Sequence, residues 1–192
     1  MSNVRRLTLL ALLTALSLSL FVLESALPVP FLAPGAKLGL ANIVTVLALY
    51  LLPRAGDALL VLAARLLLGA MFGGGPTVLL YSASGGLLAF LGMAALQRLT
   101  LRGATTPDGT PVPLFRLPAV SAAGGFLHHV GQLLCAALLS GTPALLAYLA
   151  VLGPLGLLTG LLTGTVVALL LPRLRRALPI ETKPCKNPPR ML

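Results

Sequence analysis

Six stretches of this chain, residues 7–27, 38–52, 57–72, 77–96, 117–139 and 143–171, are built almost wholly from Leu, Ala, Val and Gly. Nothing else in the sequence narrows the fold as much. Over 192 residues, 57% are hydrophobic and only 9% charged, and the mean hydropathy is +0.99. A water-soluble globule of this size needs far more polar side chains to cover its surface. The solvent is therefore lipid. Backbone amides in hydrocarbon must be satisfied within the protein, which leaves helices or a closed barrel, and Leu/Ala runs without period-2 alternation favour helices. The expectation is an all-α, polytopic membrane bundle of about six helices.

The runs are uneven. The second and third fall short of the ~20 residues that a ~30 Å hydrocarbon core requires, so they either thin the bilayer or are sheltered by protein. The last is long, and Gly153 with Pro154 are placed to bend or break it. Basic residues near span ends set orientation. Counted from Arg5 and Arg6 through alternating spans, 12 of the 14 Lys and Arg residues fall on one side, with Lys37 opposite and Arg65 inside the membrane. That side is the cytoplasm, which puts both termini inside a multi-pass protein of the bacterial cytoplasmic membrane. The net charge of +10 is then a matter of topology and of attraction to anionic lipid, and calls for no nucleic acid.

Arg5 and Arg6 before an apolar run resemble the start of a secretory signal, but Glu24, Ser25 and Ala26 make a poor cleavage site, so the segment is expected to stay. Cys135 within the fifth run and Cys185 in the basic tail are not arranged for a bridge, and no residues have the spacing of metal ligands. No cofactor is expected. The chain divides into one membrane domain, residues 1–178, with a cytoplasmic loop at 97–116, and a basic, Pro-rich tail at 179–192 that is expected to be disordered. Neither loop nor tail carries a catalytic pattern.

Arg65 stands alone in an apolar run. An ionisable side chain at mid-bilayer costs at least ~2.5–3.5 kcal/mol, so it faces a bundle interior or a wet cavity and marks a ligand site or pathway. With alternating spans, Glu24, Lys37, Asn42, Tyr81 and Ser82 fall in the outer half, and Arg65, His128, His129 and Gln132 near mid-depth. The inner halves are nearly pure Leu, Ala and Val. That asymmetry describes a polar pocket opening outward over an apolar plug. Arg65 and Lys37 would supply positive charge to a partly anionic solute. Asn42, His128 and Gln132 would supply hydrogen bonds, Tyr81 a stacking face, and Glu24 an anchor for Arg65. Each has a plainer use as well: Arg65 with Glu24 can simply lock the bundle, Lys37 can snorkel, Tyr81 and Tyr148 can sit in an interfacial belt. His128 and Gln132 share a face at i, i+4, with His129 turned ~100° away, and adjacent histidines do not chelate one metal comfortably.

Small residues recur at helical spacing: Ala11 and Ala15, Gly69 and Gly73, and the row Gly156, Gly160 and Gly164. Such patterns let helix backbones approach closely. The clusters Gly73 to Gly75 and Gly85 to Gly86 fit tight turns or close approach.

The stretches LESALPVPFLAPGAKLGLANI from Leu23, RLLLGAMFGGG from Arg65, YSASGG from Tyr81, HHVGQLL from His128 and GTPALLAYL from Gly141 resemble, in order, the small bacterial membrane proteins called heptaprenyl diphosphate synthase component I, also termed the Gx transporter family. That family is in turn similar to the substrate-binding S components of energy-coupling-factor (ECF) transporters. The resemblance implies an ECF S-component-like fold, in which Ala11 and Ala15 dock a transmembrane coupling subunit energised by separate ATPases. The synthase name implies instead a partnership with a separate prenyl synthase subunit. Chain-elongating prenyl synthases hold Mg²⁺ on clustered carboxylates, and this chain has only Glu24, Asp57, Asp108 and Glu181, far apart in sequence. It also lacks a nucleotide-binding motif. A binding or permease subunit for a small-molecule ligand is the favoured expectation, and a non-catalytic accessory role in polyprenyl diphosphate synthesis the alternative.

Overall fold

In a computed structural model, which describes residues 3–26, 40–101 and 116–178, the chain is a bundle of six α-helices with no strand among the described residues. They are α1 (Asn3–Ala26), α2 (Leu40–Leu51), α3 (Ala55–Gly69), α4 (Gly75–Leu101), α5 (Arg116–Ser140) and α6 (Leu149–Ala177). Five of these helices are long and apolar enough to cross a membrane. Leu12, Leu67, Leu91, Leu138, Leu158 and Leu169 point outward. An exposed apolar surface of that extent fits lipid and not water. The protein is a multi-pass membrane protein.

Helix ends follow local chemistry. Pro53 closes α2, because a proline cannot continue the ladder and restrains the residue before it. The link from α3 to α4 is a π-turn, Ala70–Gly74, closed by Gly75 at φ 65°. Only glycine takes that angle freely, and Pro76 then starts α4 with its fixed φ. At the end of α5, Gly141 lies at φ 62° and the Thr142 N–H donates to the Ala137 carbonyl at 3.1 Å. This is the Schellman arrangement that satisfies a terminal carbonyl. A 3-10 segment, Pro143–Tyr148, leads into α6, which runs unbroken through Pro154 and Pro172. Pro154 is the sixth residue of α6 and forfeits one ladder bond, but the helix continues through it, so the break expected at Gly153 and Pro154 does not occur. Helix α4 continues to Leu101, into the segment expected to be loop. The remainder of that loop, 102–115, and the tail from 179 lie outside the described residues.

Two glycine seams set the packing. A Cβ on Gly125 would lie 2.0 Å from the Gly156 carbonyl oxygen, one on Gly160 2.5 Å from that of Ser121, and one on Gly164 2.6 Å from Pro118 Cα. Antiparallel α5 and α6 therefore touch backbone to backbone, and Ser121 and Thr163 share a buried 2.9 Å hydrogen bond across the seam. The other seam joins α4 and α5, where Gly124 receives Met93 and Gly131 meets the Ser84 carbonyl.

Short α2 is the hub. Val44 to Leu49 are buried in succession, the mark of a helix wrapped on all sides. Its last carbonyls find donors on other helices: Gln97 Nε2 to Leu49 at 3.2 Å and Arg175 Nη2 to Tyr50 at 2.9 Å. The core joins α2 to Leu13, Leu62, Phe90, Met93, Val120, Val167 and Leu171. It fills the end of the bundle at which α1 begins and α2, α4 and α6 finish, hereafter the arginine end. There Arg6 grips the buried Asp57 of α3, donating from Nε to Oδ1 at 3.1 Å and Oδ2 at 3.2 Å and from Nη2 to Oδ1. Asp57 lies in the first turn of α3, where a carboxylate also meets the positive end of the helix dipole.

Candidate functional site

Beyond the core, toward the opposite end, the buried positions turn polar. Helix α1 presents one buried stripe, Leu9, Leu13, Ser17, Phe21 and Glu24, at the i, i+4, i+7 spacing that lines up side chains on one helix face. The first two are apolar, and Ser17 and Glu24 are not. Parallel α3 faces this stripe. Gly69 lets the Phe21 ring lie directly on its backbone, since a Cβ there would be 3.1 Å from Phe21 Cε1.

One turn before Gly69, Arg65 is only 6% exposed. Its guanidinium carbon lies 5.8 Å from the centre of the Phe21 ring, a cation–π geometry worth ~0.5–2 kcal/mol. Glu24, 4% exposed, is near enough to act on Arg65 as its counter-charge. Among the described residues, the Arg65 Nε has no hydrogen-bond partner. It borders a cleft of about 190 Å³, lined by Phe21 from α1, Arg65, Leu66 and Ala70 from α3 and the π-turn, and Val78, Leu79 and Ser82 from α4. That volume includes solvent at the mouth, and the cleft has room for little more than a water-sized group. Apart from Arg65, Ser82 is the polar side chain on its wall.

The glycine pair of α4 joins this cleft to α5. A Cβ on Gly86 would be 3.7 Å from Arg65 Nη2, and one on Gly85 3.1 Å from the His128 ring. Neighbouring glycines thus seat Arg65 and His128 on adjacent positions of one helix. His129 turns the other way, buried against Gly156 of α6. The two rings meet edge to face at 5.8 Å. Gln132 lies near enough to His129 to act on its ring, although the i, i+4 spacing placed it with His128, and the His129 Nδ1 has no partner among the described residues.

Of the residues singled out from sequence, Arg65 and Glu24 come together, and His128 lies beside them across the glycine pair. Asn42, at the start of α2, and Tyr81 are partly buried and do not line the cleft, nor does Gln132. Lys37 lies outside the described residues. Ala11 and Ala15 are exposed, so their small side chains pack no helix of this chain. Sequence reasoning missed Phe21 and Ser17. An aromatic in an apolar run carries no signal of its own, but its spacing of three residues from Glu24 would have found it. Among the described residues, no three His, Cys, Asp or Glu side chains converge as metal ligands.

The chain matches the family model described as heptaprenyl diphosphate synthase component I over residues 13–170, a range that takes in every residue of the cleft. No curated protein and no solved structure matches it.

Proposed function

The chain belongs to the heptaprenyl diphosphate synthase component I family, and from that premise we propose that it is a membrane-embedded binding subunit, which captures a small solute at Arg65 from the extracellular side and acts through separate partner subunits. One observation carries the reading: a buried guanidinium bordering a cleft, with an Nε donor that no partner satisfies among the described residues. A buried donor left unpaired costs ~1–3 kcal/mol, and a ligand acceptor or a water relieves it. The enclosed space admits one polar group, so the rest of the solute sits in the mouth of the cleft. In this reading the arginine end lies in the cytoplasm and the polar half faces outward. Asn42, Tyr81, His128 and Gln132 border the path to Arg65, and the exposed Ala11 and Ala15 face receives a partner helix, as in ECF S components. Native mass spectrometry of protein extracted from its own membrane tests it. A small molecule retained by the wild type and absent from Arg65→Ala is expected, and equal retention by both removes Arg65 from the site.

The family description favours a second reading, an accessory membrane component for a separate prenyl diphosphate synthase. Affinity isolation separates the two. Co-purifying ATPases and a coupling subunit support the transport role, and a co-purifying soluble prenyl synthase supports the accessory one.

A further inference from the structure

Besides Arg65, a second hydrogen-bonding group lies on the wall of the cleft. Helix α4 lines up Val78, Leu79, Ser82 and Gly86 along one face, at the three- and four-residue spacing that brings side chains together. Gly86 makes room for the guanidinium, since a Cβ there would lie 3.7 Å from Arg65 Nη2. Ser82 stands one turn nearer the start of α4, lines the same cleft as Arg65 and is only 7% exposed. Hydroxyls within these helices commonly turn back onto the backbone. Thr8, Ser19, Ser84 and Thr165 each donate to a carbonyl three or four residues earlier, the usual arrangement for Ser and Thr inside a helix. Ser82 makes no such bond and has no hydrogen-bond partner among the described residues.

Two groups with hydrogen bonds still to make thus border one water-sized space: an N–H that only donates and an O–H that donates or accepts. The rest of the wall, from Phe21, Leu66, Ala70, Val78 and Leu79, is apolar. We propose that Ser82 is a second ligand contact, whose hydroxyl joins the Arg65 Nε–H in donating to one oxygen of the solute, a carbonyl or carboxylate oxygen, while an apolar part of the same molecule lies against Phe21, Val78 and Leu79. The proposal rests on the reading of Arg65 as a ligand contact. A carbonyl or carboxylate oxygen carries two lone pairs and accepts both bonds at once. A head group that only donates, such as an ammonium, would leave the buried Nε–H unsatisfied and is disfavoured. The pairing of two donors therefore selects for an acceptor and fixes the direction from which it enters.

The test follows both contacts in one titration. Full-length protein in lipid nanodiscs carries isotope-labelled arginine, tyrosine and serine. The Arg65 Nε–H resonance is assigned by its loss in Arg65→Lys, and that of Ser82 by its link to Tyr81, the one Tyr–Ser step in the chain. Butyramide, butyrate and butylammonium are the probes, with one apolar tail and a carbonyl, a carboxylate or a donor-only head. Butyramide or butyrate is expected to move the Arg65 and Ser82 signals together, with the same half-saturating concentration, and the probe that does so names the acceptor. Butylammonium is expected to move neither. Ser82→Ala should raise the half-saturating concentration by about fivefold or more. If the Arg65 signal moves while that of Ser82 stays, or if Ser82→Ala binds as the wild type does, Ser82 is not a contact and Arg65 remains one. If butylammonium moves both signals as readily, selection for an acceptor is overturned. If neither butyramide nor butyrate moves the Arg65 signal, the proposal and the Arg65 site fall together. The wild-type titration decides even when Ser82→Ala does not fold.

Discussion

The two ends of this bundle are built on opposite principles. At the arginine end, Leu62, Met93, Val167 and Leu171 fill the space around α2, and nearly every buried polar group is answered: Asp57 by Arg6, the α2 carbonyls by Gln97 and Arg175. At the other end, the Arg65 Nε and His129 Nδ1 are buried without partners among the described residues. Dense packing with paired polar groups resists change, because interiors at near-crystalline density accept neither voids nor insertions. Open donors beside a cleft invite a ligand. On the proposed reading, the contrast separates a structural half of the bundle from the half that binds a solute.

The sharpest way to break the comparison lies in the seams shared by both halves. Gly125→Val would drive a side chain into the Gly156 carbonyl, only 2.0 Å from the first added atom. We expect a loss of more than ~4 kcal/mol, seen as failure to recover monodisperse protein in mild detergent, and a near-normal melting curve would show the seam to be loose. Next comes Arg65→Leu, which takes the cation from the Phe21 ring and a favourable charge from the neighbourhood of buried Glu24, at a cost of ~3 kcal/mol. The double change Arg65→Leu/Glu24→Leu should restore most of that stability in a reversible unfolding assay while ligand retention stays lost. Equal stability of single and double variants would mean that the two charges do not depend on each other. In the structural half, Met93→Ala empties a fully buried site and should lower stability by about 3 kcal/mol. Val78→Ala, on the cleft wall, should lower it by less than ~1 kcal/mol. Comparable losses at the two sites would erase the distinction between the halves. Of similarly small size is Ser121→Ala, which removes one hydrogen bond between α5 and α6 and should cost about 1 kcal/mol in the same assay.

Much of this was legible in the residues. Long apolar runs locate the helices because hydrocarbon forbids unsatisfied backbone, and the row Gly156, Gly160, Gly164 announces a close helix contact because its spacing repeats. Arg65 is conspicuous because charge is so rare around it. What escaped depends on partners distant in sequence. Nothing local marks Asp57 as the partner of Arg6, 51 residues away, or tells Gln97, read as the start of a loop, that it will hold the end of α2. Gly124 and Gly131 on α5 are seven residues apart and carry no short repeat, yet they form the second seam. Phe21 was hidden among leucines, although it is the ring on which the site's cation rests.

The end of α2 also bears on how the molecule is made. The donors that finish this helix belong to α4 and α6, which are synthesised later. A nascent chain that has reached only Arg54 holds a segment whose terminal carbonyls await Gln97 and Arg175. Folding of the hub must therefore trail synthesis, so that the innermost helix of the finished bundle is among the last to settle.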